Sequence, residues 1–273
     1  MVSWLPFGEG LLLTNQLKRA LRDGRAQIGL WSSLSSHITV EVIAGSGFDW
    51  LLLDTEHSPN ELTMIHSQLQ AMQGSATAAV VRPAWNDPVL FKRLLDIGVQ
   101  TLLVPFVQNA DEAKRAVAAT RYPPDGIRGV ATTTRASRYG RVKDYLERAN
   151  DEICIVVQIE TRVALGNLEA IAAVDGVDGL FIGPSDLAAD MGHLGDNAHP
   201  DVRRAIDEAI GRIRTTGKFA GILAPIEADA RHWLELGCLF VAVGSDAGIL
   251  ARQSEALAAK FKPQLSKASL TEA

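Results

Sequence analysis

Two apolar runs of this chain lead into acids. Residues 153–159 run into Glu160, and 179–182 pass through Gly183, Pro184 and Ser185 to Asp186. Paired carboxylates without Cys or His beside them suit a hard divalent cation, Mg²⁺, Mn²⁺ or a similar ion, that keeps positions open for water and substrate. Acids at strand ends also serve as solvated turn residues or helix caps. What favours chemistry is the set of side chains at comparable positions. The run 48–54 ends in Asp54 and continues through Thr55 and Glu56 to His57, while the run 78–82 ends in Arg82 before Pro83. Trp31 and Leu223 fall at the ends of two other runs, and Gln158 stands near the end of the run before Glu160.

Each of these residues has a chemical and an ordinary reading. His57 is suited to proton transfer near neutral pH, and Asp54, three residues earlier, could orient its imidazole. Asp96, an acid within the apolar stretch 94–98, is either a further member of that network or a helix-end residue. Arg82 is either a fixed positive charge beside a reacting oxygen or a surface ion-pair partner. Trp31 and Leu223 are pocket walls or core residues, and Trp85 and Trp233 read as packing. Glu56 fits three roles: supporting the site, accepting from a metal-bound water, or lying at an interface. None of the eight lysines stands at the C-terminal end of a strand-like run. Schiff-base carbonyl chemistry needs such an amine, so an electron sink here would have to be a metal, and Glu160 with Asp186 is the available pair.

The elements that must position these residues follow from eight short apolar runs, at 27–31, 48–54, 78–82, 101–105, 153–159, 179–182, 219–223 and 239–243. Between them lie stretches of helical period at 60–73, 88–97, 110–119, 164–173 and 201–216, and Gly98, Gly217 and Gly237 stand where helices end. Eight βα units predict an α/β fold, a (β/α)₈ TIM barrel, over a single domain spanning 1–273. An open Rossmann-like sheet is disfavoured, because no G-x-G-x-x-G follows the first strand. In such barrels the site forms at the C-terminal ends of the strands. The long connection 107–150 predicts a functional lid or a covering loop. Residues 249–261 read as an amphipathic helix and 266–273 as a frayed polar tail.

Composition narrows the setting. With 47% apolar residues, a net charge of −5 and 27 dispersed basic residues, the chain has no electrostatic footprint for nucleic acid. Residues 1–6 lack a signal-peptide pattern, and no apolar run approaches the roughly 20 residues of a membrane span. Cys154 and Cys238 read as reduced core residues of a cytoplasmic protein.

Taken in order, several short segments carry a resemblance. They include Gly29-Leu30-Trp31, Glu56-His57, Val81-Arg82-Pro83, Trp85-Asn86-Asp87-Pro88, Tyr122-Pro123-Pro124, Gly126-Ile127-Arg128-Gly129, Gln158-Ile159-Glu160 and Phe181-Ile182-Gly183-Pro184. Over about residues 14–261 the chain resembles the bacterial 4-hydroxy-2-oxoheptanedioate aldolase family, metal-dependent class II pyruvate aldolases that include 2-keto-3-deoxy-sugar-acid aldolases. The resemblance implies a barrel of the phosphoenolpyruvate/pyruvate-binding type. It implies a divalent ion (Mg²⁺, Mn²⁺ or Co²⁺) on Glu160 and Asp186, Arg82 supporting an enolate, and an acid/base network of His57, Asp54 and Asp96. Gln158 would lie beside the bound keto acid, with Ser185 and Asp186 near its carboxylate. The expected partners are an oxo acid (pyruvate or hydroxypyruvate as donor), an aldehyde, and copies of the chain in a homohexamer whose C-terminal helix packs on a neighbour. Thr55 and Ser185 depart from the family's usual Gly and Ala, which puts substrate preference in doubt. Two rival readings are an enolase-type isomerase or dehydratase, for which a third carboxylate ligand is not evident, and a non-catalytic barrel.

Overall fold

A continuous apolar run lets a strand bury both faces, and the chain uses such runs eight times. In the computed structural model, which describes residues 14–262, the strands are β1 (Gln27–Ser32), β2 (Trp50–Asp54), β3 (Ala78–Arg82), β4 (Thr101–Val104), β5 (Cys154–Ile159), β6 (Gly179–Ile182), β7 (Phe219–Leu223) and β8 (Phe240–Ser245). Neighbours pair in parallel in chain order, and β8 pairs with β1 to close the barrel. The (β/α)₈ barrel expected from sequence is therefore present, with strand ends within two residues of the expected bounds. The readings made for 1–6, for the tail 266–273 and for Lys267 lie outside the described residues.

Strand parity separates two apolar layers. Leu51, Leu53, Val81, Ile155 and Val157 face the helices, while Trp50, Leu52, Val80, Val156, Phe181 and Phe240 fill the lumen. At the floor, where the strands begin, Trp50 stacks on Phe240 with ring centroids 3.9 Å apart. Gly29 makes room for this, since a Cβ there would stand 2.2 Å from the Trp50 ring. Leu17 and Leu21 of the Gln16–Arg22 helix join the same layer. The floor is therefore sealed, and polar chemistry is confined to the mouth.

Helices that start at the mouth are capped by short polar side chains. Ser36, Asp87, Asn109, Thr161 and Ser245 each accept from a backbone N–H of the first turn. Gly98, Gly217 and Gly237 adopt positive φ after helices, as expected. Two expectations fail. The helix expected over 164–173 is two short helices, Arg162–Gly166 and Leu168–Ala172, broken at Asn167, whose side chain donates to Gln108 O at 2.9 Å.

The connection 107–150 does not form a lid over the mouth. The Ala110–Thr120 helix returns the chain to the floor, and the insert begins only there. Arg135 donates to Ile97 O and Leu69 O, Ala136 N donates to Asp96 O, and the Tyr145–Glu152 helix ends beside Asn15 and Thr101. Cys154 and Cys238 are buried free thiols. No helix among the described residues is long and apolar enough to cross a membrane.

Candidate active site

The parity that fills the lumen with Leu52, Val80 and Val156 also turns Asp54, Arg82 and Gln158 inward, one per strand, at the mouth. Asp54 and Arg82 are paired in register across β2 and β3. Arg82 Nε donates to Asp54 Oδ1 at 2.9 Å and Nη2 to Oδ2 at 2.7 Å, a bidentate pair with both side chains buried. Trp31 Nε1 donates to Asp54 Oδ2 at 3.2 Å, and the Arg82 guanidinium carbon lies 4.9 Å from the Trp31 ring centroid. Glu56 N donates to Asp54 Oδ1 at 3.0 Å. Burial works to raise the Asp54 pKa, but the bonds and charge of Arg82 overcome it and hold this carboxyl below its ordinary value.

Glu56 Oε2 lies 2.9 Å from Arg82 Nη1, an ion pair whose angle makes no hydrogen bond. Burial raises the Glu56 pKa against the pull of Arg82 and His57, with Asp54 and Asp186 adding to the rise. Arg82 is raised despite the cost of burial, because Asp54, Glu56 and Glu160 surround it with negative charge. A permanently charged guanidinium thus sits among three acids.

Glu160 follows β5 and is 2% exposed. Its Oε1 accepts from Phe106 N at 2.7 Å, and its Oε2 is bonded by Gln158 Nε2. Burial first and the Asp186 charge second push its pKa from 4.5 up to about 7. Asp186 is exposed in the first turn of the Pro184–Asp190 helix. Gly183 is required between them: a Cβ there would stand 2.7 Å from Glu160 Oε2 and 2.9 Å from Gln158 Nε2. Gln158 Oε1 is buried without a hydrogen-bond partner. A buried carboxylate that stays raised despite Arg82 and the Phe106 amide, a second acid acting on it and an unpaired buried carbonyl oxygen form an all-oxygen donor set that fits a hard divalent cation.

Not every expected residue joins this set. Both oxygens of Asp54 are filled by Arg82, Trp31 and the Glu56 amide, so Asp54 does not orient His57. His57 is exposed at the mouth, close enough for its charge to act on Glu56. Asp96 ends the Pro88–Asp96 helix on the floor side, where it pairs with Arg128 Nη2 at 2.9 Å; within the chain it does not meet His57. Trp31 and Leu223 line the lumen with Phe181 and Ala242. Ser185 is exposed and accepts from Asn197 Nδ2 at 3.0 Å. Thr55 bonds Arg82 O through both its N–H and its hydroxyl, joining β2 to β3 at the mouth.

Three features were not expected from sequence. Phe106 has φ 53° and uses its N–H to hold Glu160. Trp85, expected to pack in the core, is 53% exposed and stacks on Phe106 with centroids 5.6 Å apart. Asp246 is buried and accepts from Ser32 Oγ and from the amides of Ser33 and Leu34, fastening β8 to the loop after β1. A left-handed aromatic residue leaves no trace in sequence, whereas the Ser245-Asp246 pair before a helical stretch is a cap signal that could have been read.

Comparison with known proteins shows the family and the fold. A 4-hydroxy-2-oxo-heptane-1,7-dioate aldolase from Escherichia coli is 58% identical over 253 residues, covering 92% of this chain and 97% of that protein. The protein of that name from Shigella flexneri is 58% identical over 250 residues, covering 91% and 94%. The crystal structure of an HpcH/HpaI aldolase/citrate lyase family protein from Burkholderia cenocepacia J2315 superposes with a TM-score of 0.89 at 41% identity, covering 91% of this chain and all of that one. The pattern of one family matches residues 27–252, from β1 into the last helix, and takes in the whole mouth. The chain belongs to the HpcH/HpaI aldolase/citrate lyase family.

Proposed function

We propose that the chain is a carbon–carbon lyase that cleaves 4-hydroxy-2-oxo acids reversibly to pyruvate and an aldehyde, with 4-hydroxy-2-oxoheptanedioate as its substrate. The observation that carries this reading is the buried Glu160, coupled to Asp186 and facing a guanidinium held by Asp54. In this family of metal-dependent aldolases, Glu160 and Asp186 would hold a divalent cation, Mg²⁺, Mn²⁺ or Co²⁺, which supplies Lewis acidity toward the 2-oxo acid.

The remaining roles belong to the chain. Three of the guanidinium N–H bonds of Arg82 face Asp54 and Glu56, which leaves two to meet the 2-oxo oxygen. As the C3–C4 bond breaks, its electron pair moves toward that oxygen as an enolate, where a preorganised donor contributes on the order of 3 kcal/mol. His57 accepts the proton of the 4-hydroxyl as C4 becomes a carbonyl, and a proton from solvent added at C3 of the enolate completes pyruvate; in the reverse direction C3 loses that proton and His57 returns one to the new 4-hydroxyl. Gln158 lies beside the keto acid, and backbone N–H groups at Ser185 and Asp186 hold its carboxylate. Trp31 and Leu223 form the apolar wall that keeps water from the enolate. Hydroxypyruvate is a donor to test beside pyruvate, given the hydroxyl of Ser185.

Two further readings belong to this proposal. The chain works as one barrel domain in a homo-oligomer, a homohexamer in its relatives by resemblance, with the Asp246–Phe261 helix against a neighbour. Support comes from Ile249, Leu250, Leu257 and Phe261, which are all exposed on that helix. The buried thiols fit a reducing, cytoplasmic setting. The test is a coupled pyruvate-release assay over 4-hydroxy-2-oxo acids with EDTA or with each added ion. Turnover should require the ion and disappear in Glu160→Gln. Turnover that persists in EDTA and is trapped by borohydride would overturn the scheme.

A further inference from the structure

Away from the carboxylates of the mouth, one cluster of metal-ligating side chains stands out among the described residues. His193, His199 and Asp201 each bring a ligand atom within 4.8 Å of the other two. They lie in the loop between the Pro184–Asp190 and Pro200–Thr215 helices and at the start of the second. Asp201 Oδ2 is 3.8 Å from His199 Nδ1 and 4.0 Å from His193 Nε2. The other Asp201 oxygen is bonded by Arg204, which leaves Oδ2 for the histidines. The two imidazoles stack with centroids 3.5 Å apart and planes at 16°.

We propose that His193, His199 and Asp201 form a second cation site, selective for a borderline-soft ion of the zinc class and separate from the all-oxygen centre of Glu160 and Asp186. Two imidazoles and a carboxylate are a zinc-type donor set that leaves one position for water. Magnesium, which favours oxygen ligands, is not held this way. With bonds of about 2.0–2.2 Å to a tetrahedral ion, donor atoms lie about 3.4 Å apart. The 3.8 and 4.0 Å separations therefore need to close by about half an ångström.

An ion sits close to the plane of each imidazole that binds it, so the stack must open by rotation of the rings. Nothing holds the rings firmly against this. Among the described residues the His193 ring has Asp201 Oδ2 at 4.0 Å, beyond a hydrogen bond, and His199 Nδ1 accepts a 3.2 Å bond from Asp201 N. The two side chains are 26% and 32% exposed, which leaves space for the movement. The same loop carries Asn197, which bonds Ser185. The proposed site and Ser185, the residue beside Asp186, are therefore tied to the same loop.

The test uses the full chain carrying Glu160→Gln and Asp186→Asn, which disable the oxygen site, titrated with Zn²⁺ by calorimetry. One ion per chain is expected, and His193→Ala in that background should weaken its binding at least about tenfold. Co²⁺ in place of Zn²⁺ should give visible d–d bands that His193→Ala abolishes. In the otherwise native chain, His193→Ala should leave Mg²⁺-dependent turnover intact. Folding is followed by circular dichroism, and His193→Gln replaces the alanine variant if that one fails to fold. The site is overturned if the folded background binds no Zn²⁺, or if binding is unchanged by both His193→Ala and His199→Gln.

Discussion

Replacing Arg82 with lysine keeps the charge and removes the fork. In the native chain the guanidinium spans Asp54 through bonds of 2.9 and 2.7 Å and meets Glu56 at 2.9 Å while lying over Trp31. A lysine ammonium is a point charge that can satisfy one of these carboxylates well. One to two charge-assisted hydrogen bonds are lost, at about 1.5–3 kcal/mol each, in a setting too buried for water to replace them. The stacked contact with Trp31 adds about 0.5–1 kcal/mol. The expected destabilisation is about 3–5 kcal/mol, which for a chain of this size lowers the melting temperature by roughly 10 °C.

Catalysis should suffer separately. The N–H bonds aimed at the developing enolate are no longer held in place, and losing one such donor costs about 10²-fold or more in kcat. Because that interaction strengthens only in the transition state, KM should change far less than kcat. The assays are calorimetric melting and pyruvate release under saturating metal, with Asp54→Asn and the double variant completing a cycle. The two substitutions should be strongly non-additive, since each breaks the same pair. An Arg82→Lys protein with native melting and kcat within about threefold of wild type would refute the reasoning that the fork matters.

Three further outcomes follow from the geometry. Gly183→Ala places a methyl 2.7 Å from Glu160 Oε2, so Glu160 must move and the affinity for the activating ion should fall about 10–100-fold; a metal titration with unchanged affinity would contradict this. Glu160 has a folded pKa of about 7, raised from 4.5. A raised carboxyl contributes its stability below the unfolded pKa and loses it as pH rises through the folded one. The metal-free chain should therefore lose on the order of 3 kcal/mol relative to Glu160→Gln between about pH 4.5 and 7. Added Mn²⁺ should recover more stability near pH 8 than near pH 6, and identical melting shifts at both would count against it. Asp96→Asn leaves the fully buried Arg128 side chain with Tyr145 Oη at 3.3 Å and the Tyr122 ring 4.4 Å from its guanidinium carbon as neutral neighbours, and should cost about 1–3 kcal/mol in melting experiments.

The barrel was legible because parallel strands buried on both faces read as continuous Val, Ile and Leu runs, and β3, β6 and β7 begin and end where those runs do. The candidate site was legible at Arg82, Gln158 and Glu160 for a related reason. Polar residues at the tips of apolar runs have the mouth as their only polar surroundings. The reading failed where a residue's partner comes from elsewhere in the chain. Asp54 stands three positions before His57, which suggested a dyad, yet Arg82 on the next strand, with Trp31 and the Glu56 amide, takes the whole carboxylate. Asp96 stands in an apolar stretch like the site residues, but its helix has already carried it to the floor and to Arg128. The insert after residue 120 has a loop's composition, and composition does not say at which end of a barrel a loop lies.

By itself, then, the sequence determined the number, order and inward parity of the strands, and with them the acids, arginine and glutamine that converge at the mouth. These depend on local alternation and chain order. Only the tertiary structure decided that Asp54 serves Arg82, that Phe106 holds Glu160, that Gly183 leaves room for it, and that Glu160 and Asp186 share one field. Those pairings join residues tens of positions apart, and closure of the barrel alone brings them within reach of hydrogen bonds and unscreened charge.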